Sequence, residues 1–486
     1  MRAARPTGVA PTRIRLTRLV VGTRLLPPSA DIRLILEGWP NRVRQPCGLL
    51  PRHNPPVPST LTASIAEWAL SVRPDQVPDD VKELARLQVM SVLGASHAGE
   101  RSVVGRKVAA ASGRWHPYGD LFARLSWSVV HDYDDYLFAG HTGHSAVWTV
   151  MGEARSAPAD ELLTSIVVGN ELGGRLGAAL LLGPQNGQMW AYIHALIACC
   201  VAGRLRGVDA GVLRNAIGIA FAMPHYPLMP GFMGPESKAV IAAFPALQGL
   251  MALDLAQEGM TGAHDILGAR DGFIRAVGRL GRRSAFDGLG EVWLTRTLCF
   301  KLYPGCAYVD TAVDALRSLE LNAADVRGLE VRAHPFTLAM ERESERHRRA
   351  GVPEPVTVTF NVKLSLALTL LDGEPSPESL EPKVLAERWP EIGAVAGRIR
   401  LRPAIRGTLA ALRRSARLLS IGTLDTTDFR MEFPAEVRVE LADGSTRTAS
   451  ASVPLGGAGR PREETARLVL DKFTRNGGTE DELRRF

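Results

Sequence analysis

Ala, Leu and Ile residues recur at helical spacing over a long stretch of the chain, and this pattern constrains the fold more than any other feature. The stretch runs from about residue 146 to about residue 267 and predicts successive helices, two of which begin near Ala146 and Ala159. Glycines stand where several of these helices would end. Many other positions on the apolar faces are Gly or Ala, which permits close packing of neighbouring helices. The pattern therefore predicts a large helical core.

The sequence pattern changes from about Gly290. Alternating segments predict strands in LEVRAHPF and VTVTFNVKLSLAL, between helices in DTAVDALRSL and PESLEPKVLAERW. The segment FRMEFPAEVRVELADGSTRTASASVPL predicts a hairpin with Asp443 and Gly444 at its turn, and PREETARLVLDKFTRNGG predicts a final helix that ends at Gly477. We therefore expect a mainly α protein with a second, α+β domain. The expected divisions are an extension over 1–56, a helical domain over 57–285 and an α+β domain over 286–486.

Positive charge is concentrated at the N-terminus. Residues 1–56 hold ten arginines and two acidic residues, a net charge of +8, so residues 57–486 carry −1 of the total of +7. The positive net charge of the whole chain therefore does not indicate nucleic-acid binding. The segment is aperiodic and lacks the apolar region and cleavage site of a secretory signal. Three interpretations fit this segment: a disordered extension, an organelle presequence, or translated sequence upstream of the true start. We favour an extension outside the fold.

The remaining composition is that of a globular enzyme. Apolar residues make up 45% and charged residues 22% of a chain long enough for two domains. No uninterrupted apolar run is long enough to span a bilayer, so we expect a cytoplasmic protein with no membrane partner. The five cysteines are scattered and odd in number, which predicts neither a disulfide framework nor a zinc site.

The segment from His131 to His144, HDYDDYLFAGHTGH, is the strongest candidate for chemistry. It holds three Asp and three His interleaved with aromatic residues. Carboxylates this close cannot all ionise cheaply in a dry site, and imidazoles beside them can act as acids, bases or metal ligands. The alternative is a solvated turn in which Asp134 or Asp135 caps a helix. Gly140 and Gly143 argue against one regular helix through the segment.

Nine segments, in order, resemble the MmgE/PrpD family, which includes 2-methylcitrate dehydratase, cis-aconitate decarboxylase and an iminodisuccinate epimerase. The resemblance runs from about Leu61 to about Gly373 and continues weakly to the C-terminus. The segments are LTASIAEWALSV, VPDDVKELARLQVMSVLGASHAG, HDYDDY, GNELGGRLG, AGRLRGVDAGVLRNAIGIA, SKAVIAAFPALQG, EGMTGAHDILGARDGF, KLYPGCAYVDTAVDA and LALTLLDGEPSPESL. The resemblance implies a helical domain under an α+β lid, with a late segment returning to the helical domain, and a homodimer.

The resemblance also implies a reaction and its residues. The family acts without a cofactor or metal on small organic acids, removing a proton next to a carboxylate or carbonyl before water or carbon dioxide leaves. The residues that align with catalytic positions are Asp132, His144, Lys238 and Lys301. We expect His144 to be the main base or acid, oriented by Asp132, and the lysines to stabilise the enolate-like charge. Two extra residues before His144 leave His141 as a rival. The expected substrate-binding residues are Tyr136, His141, Gln188 and Cys306.

Several positions depart from the family pattern. Tyr136 replaces a Thr, Gln188 replaces a His found in many members, and Ile241 replaces a common His. Ala307 and Asp310 stand where the family has Arg and His, and Ser91 replaces an Asp. The changes remove cationic and basic groups, and unpaired carboxylates are expensive to bury. We therefore do not expect 2-methylcitrate to be the substrate. An isomerase or epimerase on the same site, a metal-dependent enzyme and a noncatalytic binding protein are the alternatives.

Overall fold

The computed structural model describes residues 59–154, 156–181, 191–225, 227–279, 281–348, 350–404, 421 and 426–486. Contacts between Cα atoms divide the chain into two units, Met1–Pro58 and Ser59–Phe486, and the description below concerns the second. The N-terminal extension expected over 1–56 and the expected binding residue Gln188 lie outside the described residues.

Helices dominate the described residues, with short strands among them. In chain order the helices are α1 (Leu61–Ser71), α2 (Asp79–Arg101), α3 (Val103–Ser112), α4 (Gly119–Val129), α5 (Gly143–Glu153), α6 (Ala159–Ala179), α7 (Tyr192–Arg206), α8 (Ala210–Ala220), α9 (Met229–Phe232), α10 (Ala243–Gln257), α11 (Phe273–Val277), α12 (Ala307–Arg317), α13 (Pro335–His347), α14 (Pro355–Phe360), α15 (Val362–Asp372), α16 (Pro382–Ala396), α17 (Arg462–Arg475) and α18 (Glu480–Leu483). The strands are β1 (Asp135–Tyr136), β2 (Cys299–Phe300), β3 (Val326–Ala333), β4 (Ile399–Pro403), β5 (Ala435–Leu441) and β6 (Thr446–Ala451).

The small residues on the helical faces let the helices of the first half approach closely. A Cβ atom at Gly249 of α10 would lie only 2.3 Å from the carbonyl oxygen of Ala195 on α7. A Cβ at Gly177 of α6 would lie 1.8 Å from the carbonyl oxygen of Ala139, in the candidate segment. Glycine is therefore required where α6 supports that segment, and the prediction of closely packed helices is confirmed. The helix expected near Ala146 begins slightly earlier, at Gly143.

A four-stranded sheet follows in the second half, in the order β4-β3-β5-β6. Strand β3 is parallel to β4 and antiparallel to β5, with Val331 opposite both Leu401 and Val437. Strands β5 and β6 form the predicted hairpin, and Gly444 at its turn has a φ of 83°. The fold is thus mainly α with a smaller α+β region.

The prediction of a strand in VTVTFNVKLSLAL is wrong. This segment forms helices α14 and α15, which meet at Asn361. The Asn361 side chain caps α15 by accepting a hydrogen bond from the Leu364 amide at 2.9 Å. Nearly every residue of both helices is buried. The β-branched residues are therefore explained by burial on all sides of the two helices. A short apolar run in a sequence does not distinguish such a buried helix from a buried strand.

Helix α17, near the C-terminus, lies on α2, close to the candidate segment. The Cα atom of Phe473 lies 3.1 Å from the position that a Cβ would take at Gly94 of α2. Phe473 belongs to the apolar core formed mainly by the helices of the first half, whereas β3, β5 and α15 share a second apolar core. The predicted division at residue 285 stays a prediction.

One stretch, Glu236–Gln257, is long and apolar enough to cross a membrane, with a mean hydropathy of 1.7. Core helices of globular proteins pass the same criterion, and 56% of its apolar window is buried inside the fold. The described residues therefore carry no clear signal of a membrane protein.

Candidate active site

A two-stranded sheet joins two segments that lie far apart in sequence. Strand β1 pairs antiparallel with β2, so that Asp135 lies opposite Phe300. The register continues beyond the strands, because the Lys301 amide donates to the carbonyl oxygen of Asp134 at 3.1 Å. These backbone contacts place the Lys301 side chain beside the acidic residues of the loop between α4 and α5.

Asp132 forms ion pairs with two lysines. Its Oδ1 atom lies 2.9 Å from Nζ of Lys238 and 2.9 Å from Nζ of Lys301. Lys301 also donates to the backbone carbonyl oxygen of Asp132 at 3.0 Å. Burial alone would raise the pKa of the Asp132 carboxyl, but the two ammonium groups outweigh it and hold the pKa below its ordinary value. The Asp132 backbone has a φ of 51°, a strained left-handed conformation that lysine contacts on both its carbonyl and its carboxylate help to hold.

Asp134 is the centre of the polar cluster. Its Oδ1 accepts from Lys301 at 2.9 Å, while its Oδ2 lies 2.5 Å from Nδ1 of His141 and 3.0 Å from Nε2 of His144. Burial opposes ionisation, but Lys301 and the two imidazoles hold the pKa of Asp134 well below its usual range. The carboxylate expected to orient His144 was that of Asp132. The structure gives this contact to Asp134, whose Oδ2 atom lies against both imidazole rings.

The two histidines differ in the nitrogen that they leave accessible. Both ring nitrogens of His144 have partners, since Nδ1 lies 2.7 Å from Oγ of Ser128 and Nε2 faces Asp134. His141 uses only Nδ1, and its Nε2 makes no hydrogen bond to any described residue. The His141 side chain is 13% exposed, against 5% for His144. His141 therefore has the geometry of a carboxylate-oriented base, with the distal nitrogen available for proton transfer.

The opposite side of the loop is packed on helices α2 and α6. Gln88 of α2 donates to Oδ2 of Asp135 at 2.6 Å and is bonded to Asn170 of α6. Burial and the neighbouring Asp134 raise the pKa of Asp135 to about 6. A Cβ at Gly143 would lie 2.2 Å from Oδ1 of Asp135, so this close approach requires glycine. The contacts of Asp135 hold the loop against the helical core.

Helix α17 holds the same side of the loop through Lys472. This fully buried lysine donates to Oγ of Ser91 at 2.9 Å and to the Tyr133 carbonyl oxygen at 2.5 Å. Its ammonium lies 4.3 Å from the centre of the Tyr133 ring. Burial lowers the pKa of Lys472 to about 7, although Asp134 and Asp135 oppose the shift.

Two of the expected binding residues are buried beside the cluster as neutral groups. Burial raises the pKa of the Tyr136 phenol well above its ordinary value, and its ring centre lies 5.9 Å from that of His141. Cys306 precedes α12 and is fully buried, and burial raises its thiol pKa to about 12. Neither group is a thiolate or phenolate near neutral pH, which argues against either as the base.

Asp134, His141 and His144 also have the donor types of a metal site, with one ligand atom of each lying within 4.8 Å of the others. The ammonium of Lys301 is 2.9 Å from the Asp134 carboxylate. A divalent ion among these donors would be repelled by that charge and would compete with it for Asp134. The geometry therefore favours a lysine–carboxylate–imidazole cluster over a metal centre.

The four expected catalytic residues Asp132, His144, Lys238 and Lys301 are connected through Asp132 and Asp134. Sequence reasoning missed Asp134 as the central residue, having considered it only as a helix cap. It also missed Ser128, His194 and Lys472. His194 lies in an apolar segment of α7, where its Nδ1 is 2.9 Å from Oγ of Ser145 and its ring centre 5.9 Å from that of His144. A histidine in an otherwise apolar helix is the signal that could have identified His194, whereas Lys472 lies in a helix rich in charged residues and has no such signal.

Comparisons with known proteins agree with the earlier resemblance. Residues 114–282 match the model of the MmgE/PrpD N-terminal domain. The chain is 25% identical over 297 residues to a cis-aconitate decarboxylase of Aspergillus terreus (strain NIH 2624 / FGSC A1156), an alignment that covers 54% of this chain and 60% of the relative. It is 23% identical over 305 residues to the cis-aconitate decarboxylase-like protein oryM of Aspergillus oryzae (strain ATCC 42149 / RIB 40), covering 54% of this chain and 62% of the relative. The aligned region thus falls short of two thirds of either relative.

Proposed function

We propose that this chain is a divergent member of the MmgE/PrpD family and a cofactor-independent lyase that removes a proton next to a carboxylate or carbonyl of a small organic acid. The family and its decarboxylase relatives support dehydratase- or decarboxylase-like chemistry. The single observation that carries the proposal is the His141–Asp134–Lys301 arrangement, which joins an oriented imidazole to a buried ammonium through one carboxylate.

Each group has a defined role in this proposal. Nε2 of His141 takes the proton, and Asp134 fixes the ring orientation and stabilises the imidazolium that forms. The electron pair of the broken C–H bond moves toward the substrate carbonyl or carboxylate oxygen, where Lys301 or Lys238 stabilises the enolate charge. In a dehydration, the imidazolium of His141 then protonates the departing hydroxyl group, which leaves as water. In a decarboxylation, an imidazolium instead protonates the carbanion left by carbon dioxide.

The charge balance of the cluster favours a substrate with few carboxylates. Lys238 and Lys301 are already balanced by the ionised carboxylates of Asp132 and Asp134. Ile241 and Ala307 supply no charge, and burial raises the pKa of Asp310 well above its usual range. A tricarboxylate would add charges that the described residues do not match, and such charges are costly to bury. The charge balance of the cluster therefore also disfavours 2-methylcitrate as the substrate.

An isomerase or epimerase is the second candidate, and the pairing of two imidazoles on one carboxylate favours it. The rings of His141 and His144 are nearly parallel, with centres 6.4 Å apart. One could remove a proton and the other return one, with no bond to a leaving group broken. Deuterium uptake without elimination is the signature that separates this reaction from a lyase.

The test uses the purified full chain in D2O with cis-aconitate, 2-methylcitrate and monocarboxylic 3-hydroxy acids, followed by NMR. With a monocarboxylic 3-hydroxy acid we expect either loss of a C–H signal or formation of an elimination product. We expect no faster reaction with 2-methylcitrate and no change of rate when a chelator is added. The control is His141→Asn, which should remove the reaction. Activity that a chelator abolishes and a divalent ion restores would favour the metal alternative, and a complete lack of exchange across the panel would contradict the proposal.

A further inference from the structure

A cavity of about 220 Å³ adjoins the cluster on the side of Lys238. Its walls come from the segment around α9, the turn that carries Lys238, and the start of α10. The lining is mostly apolar, with Leu228, Phe232, Ile241 and Phe244 among its residues. Of the described residues that line it, only Lys238 and His225 can carry charge.

Lys238 and Phe232 connect this cavity with the polar cluster. Both line the cavity, and the Lys238 ammonium is paired with Asp132 at 2.9 Å. The same ammonium lies 5.6 Å from the ring centre of Phe232 and 4.5 Å from that of Phe360. Lys238 is therefore shared by the two places, because its side chain lines the cavity while its ammonium is paired with Asp132 in the polar cluster.

We propose that this cavity binds an apolar arm of the substrate, so that the substrate is an organic acid carrying an alkyl or similar apolar chain. This inference rests on the proposed function for the acidic end of the molecule. Burying an additional carboxylate against apolar walls costs free energy. Burying methylene groups there is favourable, because apolar surface is removed from water. The substrate class also agrees with the charge balance of the cluster, in which the lysines have little capacity for a polyanion.

The cavity offers a substitution that narrows it with little strain. Gly231 lines the cavity, and a Cβ built there would meet only Oγ of Ser237, at an ordinary contact distance of 3.7 Å. Gly231→Leu should therefore fill part of the space without disturbing the fold. Gly393→Leu is the matched control, since Gly393 lies in α16 and a Cβ there would have no neighbour within 4 Å. Ile241→Ala is a second variant, which enlarges the cavity.

The experiment measures, by calorimetry, the Kd of straight-chain monocarboxylic 3-hydroxy acids of increasing chain length. For the wild type and Gly393→Leu we expect Kd to fall about fourfold for each added methylene until the cavity is full. Gly231→Leu should end this gain at a shorter chain, and Ile241→Ala should extend it to a longer one. A Kd independent of chain length, or no binding by any member, would overturn the proposal.

Two further measurements separate this inference from the proposed function. Deuterium exchange of the same acids reports the proton chemistry, so exchange without a chain-length effect would overturn the apolar arm alone. A chain-length effect in Kd without exchange by any acid would support the apolar cavity and contradict the proposed reaction. Light scattering adds a third outcome, because a change of mass in Gly231→Leu with an unaltered chain-length dependence would assign the cavity to an interface between copies and overturn the proposal.

Discussion

The two sides of the acidic loop differ in what their carboxylates contact. Asp132 and Asp134 face lysines and histidines, and neighbouring positive charge holds their pKa values down. Asp135 faces Gln88 of the helical core, and burial raises its pKa to about 6. The residues are adjacent and chemically similar, so the difference comes only from the direction in which successive side chains point. The charged side is suited to proton transfer, and the side that faces the core fixes the loop in place.

The largest effect on activity should come from the imidazole with an accessible nitrogen. His141→Asn should lower the rate of deuterium exchange by about 10²- to 10⁴-fold, which is the usual cost of removing a positioned base. His144→Asn should cost less, because both nitrogens of His144 already have protein partners. Melting temperatures measured alongside should change little in His141→Asn. A larger loss in His144→Asn would restore the assignment made from the sequence.

The largest effect on stability should come from Lys301. Lys301→Met leaves Asp132 and Asp134 buried without the cation that they share. Breaking a buried pair by removing one partner typically costs about 3–5 kcal/mol of unfolding free energy. Urea unfolding measures the change, and Lys383→Met is the control because the Lys383 side chain is 88% exposed. Equal stabilities of the two variants would show that the charged side does not depend on this lysine.

A smaller, pH-dependent effect should arise on the opposite side of the loop, at Lys472. Burial lowers its folded-state pKa to about 7 from the ordinary lysine value of 10.5, so the unfolded chain binds more protons between these values. Stability should therefore rise as pH increases from about 7 toward 10, because the buried group loses its charge. Ser91→Asp would give the ammonium a partner and should flatten this rise. An unaltered slope in Ser91→Asp would mean that Lys472 is not the titrating group.

Sequence patterns predicted the elements better than the contacts between them. Helical spacing and glycine positions were sufficient for the helices and for the β5–β6 hairpin, because these features depend on nearby residues. The segment that became α14 and α15 was misassigned, since burial on all sides removes the periodic signal. In the site, the resemblance identified Lys238 and Lys301, but the central role of Asp134 depends on the β1–β2 register between distant segments. No local pattern contains that information.

The most direct test compares two neighbouring isosteric substitutions, Asp134→Asn and Asp135→Asn. The measurement is the rate of deuterium uptake from D2O at the carbon next to the carboxylate of the best substrate in the panel. We predict that Asp134→Asn loses the orientation of His141 and slows exchange by about 10²-fold or more, as expected for a carboxylate that orients a catalytic histidine. For Asp135→Asn we predict a rate near that of the wild type. Equal losses in the two variants, or the larger loss in Asp135→Asn, would contradict the division of the loop into a chemical side and a structural side.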